Sequence, residues 1–256
     1  MAEVQAFQAL RYDVAQVGDL SDVIAPPYDV IDGAFQDDLY KAHPCNCVRL
    51  ILNRDEPEDA GVEDRYARAS KFFKQWQQDG VLIREHENAL YVYHQEFEWE
   101  GTKYVRKGFL GRLKLEEFGK GNVFPHEQTM PGPKKDRLAL MSSCEANLSP
   151  IFGLFPDEQN EAQTILEDAA RSLTPLVATD HLGVVHRMWP VTDPAAISKV
   201  QEILADKPIF IADGHHRYET SCNYKNAQAE AGKLSDTSAA NCTLMMFCGM
   251  EDPGLA

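Results

Sequence analysis

A short apolar run that ends in Asp-Gly and leads directly into His-His-Arg is the feature that most constrains this 256-residue chain. The segment reads Pro208-Ile209-Phe210-Ile211-Ala212-Asp213-Gly214-His215-His216-Arg217-Tyr218-Glu219-Thr220. An apolar run bounded by a turn signal predicts a buried strand, and the residues after the triplet have a helical composition. Free N–H groups and the helix dipole both favour negative charge at a helix start. The segment therefore predicts a strand, a tight turn and a helix N-terminus that holds an anion, most often a phosphate.

The side chains of this turn suit an anion site. Gly214 can adopt a positive φ and let the backbone approach a ligand closely. His215 and His216 are expected to point in different directions, and Arg217 offers a planar fork suited to phosphate oxygens. Asp213 is predicted to ligate Mg²⁺, directly or through water, or to cap the helix. The alternative is that Asp213 is only a cap and that the histidines are surface residues; the joint occurrence of these residues favours function.

A second polar segment combines a His-Glu pair with a cluster of charges, Phe124-Pro125-His126-Glu127-Gln128-Thr129 followed by Lys134-Lys135-Asp136-Arg137. His126 and Glu127 are predicted to act as an acid/base or metal-binding pair. The lysines and Arg137 are predicted to contact phosphates. The segment is not a zincin motif, because the second histidine of HExxH is missing and position 130 is Met. The alternative is a solvated loop with a surface charge cluster.

A third segment is the stiff loop Ala25-Pro26-Pro27-Tyr28-Asp29. Two prolines in series fix the backbone, so the loop can present Tyr28 and Asp29 as one wall of a site. A purely structural turn is an equally good interpretation of this segment.

Composition excludes several classes of partner. A net charge of −15 and a pI of about 4.9 argue against binding to nucleic acid or to an anionic membrane. No run of about 18 apolar residues predicts a membrane span, and no signal-peptide pattern is present at the N-terminus. Six cysteines without a CxxC pair predict reduced, mostly buried thiols. We therefore expect a cytoplasmic protein, and no oligomeric state follows from the sequence.

The order of predicted elements favours an α+β fold, a mixed sheet with flanking helices, over a doubly wound sheet. Residues 1–256 are expected to form one domain, within which residues 86–192 form a β-rich subdomain. Besides the strand–turn–helix at 208–231, the patterns predict helices at 34–42, 62–79, 136–143, 157–172 and 194–205. They predict strands at 47–53, 88–98, 102–115, 150–155, 176–180, 183–191 and 242–250.

Five motifs in order resemble those of the DUF1015 family, which is described as uncharacterised. They are Ala25-Pro26-Pro27-Tyr28-Asp29-Val30-Ile31, Pro125-His126-Glu127-Gln128-Thr129, Lys135-Asp136-Arg137, Ser149-Pro150-Ile151-Phe152 and Ala212-Asp213-Gly214-His215-His216-Arg217-Tyr218-Glu219-Thr220. The resemblance covers nearly the whole chain and implies no activity. Members of this family run on past the segment that corresponds to 252–255, so we expect the chain to be truncated at its C-terminus.

The Asp-Gly-His-His-Arg turn is also similar to the phosphate-binding turn of the ParB/sulfiredoxin superfamily. That group includes CTP-binding partition proteins, sulfiredoxins and free-serine kinases that use ADP or ATP. This one short motif implies a ParB/sulfiredoxin-like nucleotide-binding core, here with a β-rich insertion, and phosphate binding by Gly214, His215, His216 and Arg217. Sulfiredoxins carry a Cys where this chain has His215, which counts against sulfinic-acid reduction.

These observations predict a phosphotransferase that uses Mg²⁺ and a nucleotide, ATP or ADP, to phosphorylate a small hydroxylated metabolite, with serine as the first candidate. No P-loop and no Rossmann GxGxxG loop is present, which leaves the turn as the best phosphate site. Lys135 and Arg137 would neutralise the developing charge, and Asp213 would help to bind Mg²⁺. Glu127 or Asp29 would orient or deprotonate the acceptor hydroxyl.

Two alternatives remain open at this stage. One is a nucleotide-binding switch without catalysis, and the other is a metal-dependent hydrolase that uses His126 and Glu127. A carboxylate of Glu127 or Asp29 within about 8 Å of residues 214–217 would favour catalysis over the switch. A metal bound by His126 would favour the hydrolase.

Overall fold

The structure, a computed structural model, describes residues 2–127 and 131–255. Gln128 and Thr129, which belong to the second motif, lie outside the described residues. The strands are β1 (Val4–Gln5), β2 (Leu10–Tyr12), β3 (Leu82–Arg84), β4 (Leu90–Trp99), β5 (Thr102–Lys114), β6 (Val123–Phe124), β7 (Ile151–Phe155), β8 (Leu176–Thr179), β9 (Val185–Val191), β10 (Ile209–Asp213) and β11 (Cys242–Gly249). The helices are α1 (Val14–Val17), α2 (Gly33–Ala42), α3 (Val48–Ile51), α4 (Glu63–Gln78), α5 (Pro131–Cys144), α6 (Glu161–Ala170), α7 (Pro194–Ala205) and α8 (His215–Glu230).

A mixed sheet with flanking helices forms the fold, which confirms the predicted α+β class. Its strand order is β6-β10-β7-β11-β5-β4-β9-β8, with β1 paired to β5. Two pairs are parallel, β6 with β10 and β7 with β11, and the others are antiparallel. The β-rich stretch 86–192 contributes β4, β5, β6, β7, β8 and β9 to this same sheet. A separate pair, β2 with β3, lies outside it.

The parallel pairing of β6 with β10 positions the candidate site. Val123 is the register partner of Ile209, and Phe124 is the partner of Phe210. Neighbouring parallel strands run in the same direction, so their C-terminal ends lie side by side at one edge of the sheet. The chain that follows β6 is therefore brought next to the turn that follows β10.

Two large apolar clusters and a smaller third one around Tyr40 stabilise the described part of the molecule. The larger cluster joins the sheet to α6, α7 and α8, and its most buried members include Phe109, Phe247 and Tyr218. The second large cluster packs α3, α4 and α5 together around Tyr66 and Trp76. Burial of apolar surface is the main favourable contribution to folding. The helices α5 and α8, which carry the predicted site residues, also pack against each other.

Most predicted elements are present, including the long hairpin of β4 and β5, which turns at Glu100 and Gly101. The predicted strand at 47–53 is wrong, because residues 48–51 form the short helix α3. The buried side chain of Asn46 accepts a hydrogen bond from the Val48 N–H and donates to the carbonyls of Asp22 and Ile24. The bond from the Val48 N–H to the Asn46 side chain turns the chain where the apolar run begins, so the run continues as a helical turn.

The segment 119–135 contains β6 and the first turn of α5. The helix predicted at 136–143 therefore begins at residue 131. Within the described ranges, no helix combines the length and apolar character that crossing a bilayer requires.

Candidate functional site

The turn between β10 and α8 has the conformation that the sequence predicts. Gly214 adopts φ 90° and ψ 30°, a left-handed conformation, and α8 begins at His215. Gly214 is the N-cap residue, and no described side chain caps this helix start. The alternative role of Asp213 as the helix cap is therefore wrong. Its carboxylate instead accepts a hydrogen bond from the Nη2 group of Arg217.

Arg217 is folded back against the turn. Its guanidinium donates to the carbonyl of Pro150 as well as to Asp213. Its side chain is only 14% exposed, and an added Cβ at Gly214 would meet the Cζ atom at 2.9 Å. The glycine is thus required both by its positive φ and by the close approach of Arg217.

The structure brings His126 and Glu127 against the first residue of α8. Glu127 Oε1 lies 2.8 Å from His215 Nδ1, well within the 8 Å expected for a catalytic arrangement. The rings of His126 and His215 are perpendicular, with centroids 4.5 Å apart. His215 is buried, whereas the side chain of Glu127 is 53% exposed. A carboxylate that solvent can reach therefore lies beside a buried imidazole at the helix start.

The hydrogen bonds constrain the protonation of both imidazoles. His126 Nδ1 lies 2.7 Å from the carbonyl of Ile211, so this nitrogen carries the proton and donates. His215 Nε2 accepts the backbone N–H of His126 at 3.3 Å. Burial lowers the pKa of His215, which outweighs the opposing effect of Glu127. We infer that His215 is neutral near pH 7, with its proton on Nδ1.

The nearby carboxylate of Glu127 does not provide a hydrogen bond to the buried Nδ1 of His215. Glu127 Oε1 is at hydrogen-bond distance, yet Nδ1 has no partner with hydrogen-bond geometry among the described residues. One ligand atom from each of His126, Glu127 and His215 lies within 4.8 Å of the other two. Two imidazoles and a carboxylate form a donor set that suits zinc and other transition metals better than Mg²⁺.

A small cavity lies beside the first turns of α8. Its lining includes Tyr28, Arg137, Arg217 and Thr220, together with apolar side chains of α5. The Arg137 guanidinium lies over the Tyr28 ring, 3.9 Å from its centroid. Loop residues 146–149, which precede β7, close the cavity. The cavity thus gathers two of the predicted phosphate-binding arginines.

Arg137 also ties helices together. Its Nε donates to Asp136 at 2.7 Å, and its Nη1 donates to the carbonyl of Ile51 at 2.7 Å. Asp136 in turn accepts from the Tyr66 hydroxyl at 2.6 Å and from Arg65 at 2.8 Å. Burial would raise the pKa of Asp136, but the bond from Tyr66 and the nearby arginines together lower it. Asp136 therefore acts as a charged link between α4 and α5.

The remaining predicted residues are less closely associated with the turn. Asp29 is exposed, and its neighbour Tyr28, rather than Asp29 itself, lines the cavity. Lys135 is exposed on α5, whereas Lys134 forms an ion pair with Glu219 of α8 at 2.6 Å. His216 is half-buried and His215 fully buried, in agreement with their expected divergence.

Sequence reasoning missed the contribution of Thr220 and of the loop that contains Asn147 and Ser149. All three residues line the cavity. Thr220 lies one turn beyond Arg217 on the same face of α8, so helical spacing from the turn would have found it. The motif that begins at Ser149 was a second available signal.

Comparison with known proteins finds a family model that matches nearly the whole chain. The model of a family described as "Protein of unknown function (DUF1015)" matches residues 4–256. No curated protein matches the chain, and no solved structure matches it.

Proposed function

The chain belongs to the DUF1015 family, and because this family's description assigns no activity, we propose from the geometry of the site that the protein is a nucleotide-dependent phosphotransferase. Its acceptor is a small hydroxylated metabolite, with free serine as the first candidate. The resemblance of the turn to those of the ParB/sulfiredoxin superfamily supports a nucleotide as the phosphoryl donor.

The phosphate site in this proposal is the start of α8. Gly214 adopts the left-handed conformation that exposes the backbone, and no described side chain caps the helix. The first N–H groups of α8 then remain available to phosphate oxygens. His216, half-buried on the first turn, adds a hydrogen-bonding side chain, and Lys135 on α5 adds a cation. An acidic protein of net charge −15 can still bind a polyanion at such a local site.

One observation carries the proposal of catalysis. The carboxylate of Glu127 lies 2.8 Å from His215 Nδ1 and is solvent-accessible, so a base stands directly beside the proposed phosphate site. Phosphoryl transfer depends mainly on positioning and charge neutralisation, with a base that accepts the acceptor's proton. In this mechanism Glu127 takes the proton of the acceptor hydroxyl. His215 is neutral and lies beside the carboxylate.

The residues present fit a Mg²⁺ ion bound together with the nucleotide. Mg²⁺ is commonly held by one or two carboxylates plus substrate phosphates and waters. Asp213 lies at the C-terminal end of β10, and its bond to Arg217 uses one of its two carboxylate oxygens. Asp213 would therefore hold the ion beside the helix start. When bound, Mg²⁺ would neutralise charge on the phosphates.

A metal-dependent hydrolase is the second candidate. It is favoured by the convergence of His126, Glu127 and His215 and by the buried, unpartnered Nδ1 of His215. In that case Glu127 is a ligand rather than a base. Zinc and manganese content, measured in protein purified without chelators, separates the two functions. A stoichiometric metal that is lost in His126→Ala would favour the hydrolase.

Nucleotide binding is the first test of the proposal. Thermal unfolding is measured with ATP, ADP and CTP, each with and without Mg²⁺. A ligand that binds only the folded state adds about 2.7 kcal/mol to the free energy of unfolding at a concentration of 100 Kd. The unfolding temperature rises as a result. The absence of a shift with every nucleotide would refute a nucleotide-dependent function.

Turnover is the second test. Phosphoserine formation from serine is followed for wild type and Glu127→Gln. We expect a loss of about 10²–10⁴-fold in rate with nucleotide binding retained, because only the base is removed. The exposed Glu158→Gln is the matched control and keeps wild-type rates. Nucleotide binding without turnover of any hydroxylated acceptor would indicate the switch function instead.

A further inference from the structure

The cavity between α5 and α8 combines two arginines with largely apolar walls. Arg137 and Arg217 are the charged residues in its lining, and the carboxylates that bind them, Asp136 and Asp213, lie outside the lining. The side chains of the two arginines are 10% and 14% exposed. The other walls are largely apolar, from Ile51, Leu140 and similar residues. A pocket with apolar walls and a few convergent polar groups is typical of small-molecule sites.

Thr220 provides an independent sign that this cavity takes a ligand. Its side chain lines the cavity, and the residue is only 1% exposed. Its Oγ1 atom has no hydrogen-bond partner among the described residues. A buried hydroxyl without a partner is destabilising, because it has lost its hydrogen bonds to water. A ligand oxygen in the cavity would remove this destabilisation.

We propose that this cavity binds the carboxylate of the acceptor, which makes the acceptor a short hydroxy acid or hydroxy amino acid. The inference rests on the proposed function, since it names the substrate class of that site. Each arginine guanidinium in the lining has more N–H donors than its bonds to a carboxylate and a backbone carbonyl use, and the Thr220 hydroxyl donates to the same ligand group. Arg137 and Arg217 thereby bind the acceptor rather than the phosphates expected from the sequence.

Size supports this assignment. The cavity measures about 40 Å³. A single water needs roughly 10–15 Å³ of such space, so the cavity holds a group of a few heavy atoms and excludes a nucleotide base. The apolar walls then contact the short carbon chain of the acid.

The position on α8 connects the cavity to the proposed reaction. Residues two apart on a helix point about 200° apart, so His215 and Arg217 flank the start of α8 from opposite sides. An acid held at Arg217 extends towards the helix start, where the phosphate is proposed to bind. Its hydroxyl thus approaches the phosphate, and Glu127, beside His215 at the same helix start, takes the hydroxyl proton.

The test compares acids with their uncharged counterparts. Calorimetric titration uses D-glycerate and L-serine against glycerol and serinol, which lack the carboxylate, both without nucleotide and with ATP and Mg²⁺. We expect saturable binding of the acids and none of the alcohols. In Thr220→Val the Kd for the acids should rise on the order of tenfold to a hundredfold, because a hydrogen bond to a charged group is lost. Thr220→Ser, which keeps the hydroxyl, should bind as wild type does.

The outcomes separate this proposal from the function on which it rests. Equal binding of acids and alcohols, or no binding of acids under either condition, would overturn the carboxylate pocket even if nucleotides bind. Binding of acids without any nucleotide shift would leave the pocket and overturn the phosphotransferase. Inorganic phosphate is titrated in parallel. If phosphate binds, Thr220→Val abolishes that binding and the acids do not bind, the cavity is a phosphate site and the carboxylate proposal is overturned. Ser149→Ala, a second change in the lining, is used if Thr220→Val does not fold.

Discussion

The guanidinium of Arg217 lies against the backbone of Gly214, so that a Cβ at position 214 would come within 2.9 Å of both Cζ and Nε. The guanidinium cannot easily move away, because it also binds the carbonyl of Pro150 and the carboxylate of Asp213. The same glycine has φ +90°, which L-residues rarely adopt. One position therefore combines a backbone requirement with a packing requirement.

Gly214→Ala should destabilise the protein more than a positive φ alone explains. The left-handed conformation costs about 1–2 kcal/mol, and displacement of Arg217 adds to it. Denaturant unfolding measures the loss. Gly183→Ala is the matched control, since Gly183 has φ +78° and no atom within 4 Å of an added Cβ. Equal losses in the two variants would mean that the contact with Arg217 contributes nothing.

Asp136→Asn should loosen the packing of α4 against α5. The carboxylate accepts hydrogen bonds from Tyr66, Arg65 and Arg137, and removal of its charge leaves the arginines without a counter-charge. We expect a loss of about 1–3 kcal/mol in the free energy of unfolding. Asp38→Asn, which breaks an ion pair with Lys41 whose side chains are over 70% exposed, should change it by less than about 1 kcal/mol. Similar losses would contradict the role given to Asp136.

The ionised carboxylate of Glu167 should stabilise the protein, and acid should remove this stabilisation. Burial would raise the pKa of this carboxyl, but the adjacent His94 imidazole and the hydrogen bonds from Gln163 and Lys107 outweigh burial and lower it from 4.5 to about 2. A depressed folded-state pKa means that the unfolded chain binds more protons. The stabilisation is therefore complete above about pH 4.5 and is lost as the pH falls towards 2.

Urea unfolding between pH 6 and pH 3 tests this expectation. Glu167→Gln should be less stable than wild type by on the order of 1–3 kcal/mol at pH 6, with a smaller difference at pH 3. The exposed Glu158→Gln serves as the control and should match wild type throughout. A difference for Glu167→Gln that is independent of pH would show that the loss is one of packing rather than of charge.

The cysteines should react slowly in the native protein. All six are free, as the sequence predicted, and they are buried or half-buried. Burial raises the pKa of Cys144 and Cys222 to about 11 and that of Cys47 and Cys248 to about 12. Since the thiolate is the reactive form, labelling with a disulfide reagent at pH 8 should be at least about tenfold slower than in denaturant. Rapid native labelling of more than one thiol would contradict this burial.

Local patterns in the sequence predicted much of the fold. The pattern of apolar residues predicted a helix at 62–79, where α4 forms, and strands at 88–98 and 102–115, which pair as the β4–β5 hairpin. The strand predicted at 47–53 failed because a short apolar run suits a buried strand and a buried helical turn equally. The hydrogen bonds of Asn46 decide between them, and two of these reach residues more than 20 positions away.

The sequence by itself determined the strand, the Asp-Gly turn and the helix start, because these depend on local backbone preferences and on the order of apolar and polar residues. Only the tertiary structure decided which groups meet there. His126 and Glu127 reach His215 because β6 pairs in parallel with β10, and a pairing between distant strands leaves no local pattern. Arg137 and Arg217 likewise share a cavity with Thr220 because α5 packs on α8. Such contacts depend on how the sheet and helices bury their apolar faces together, which no single segment encodes.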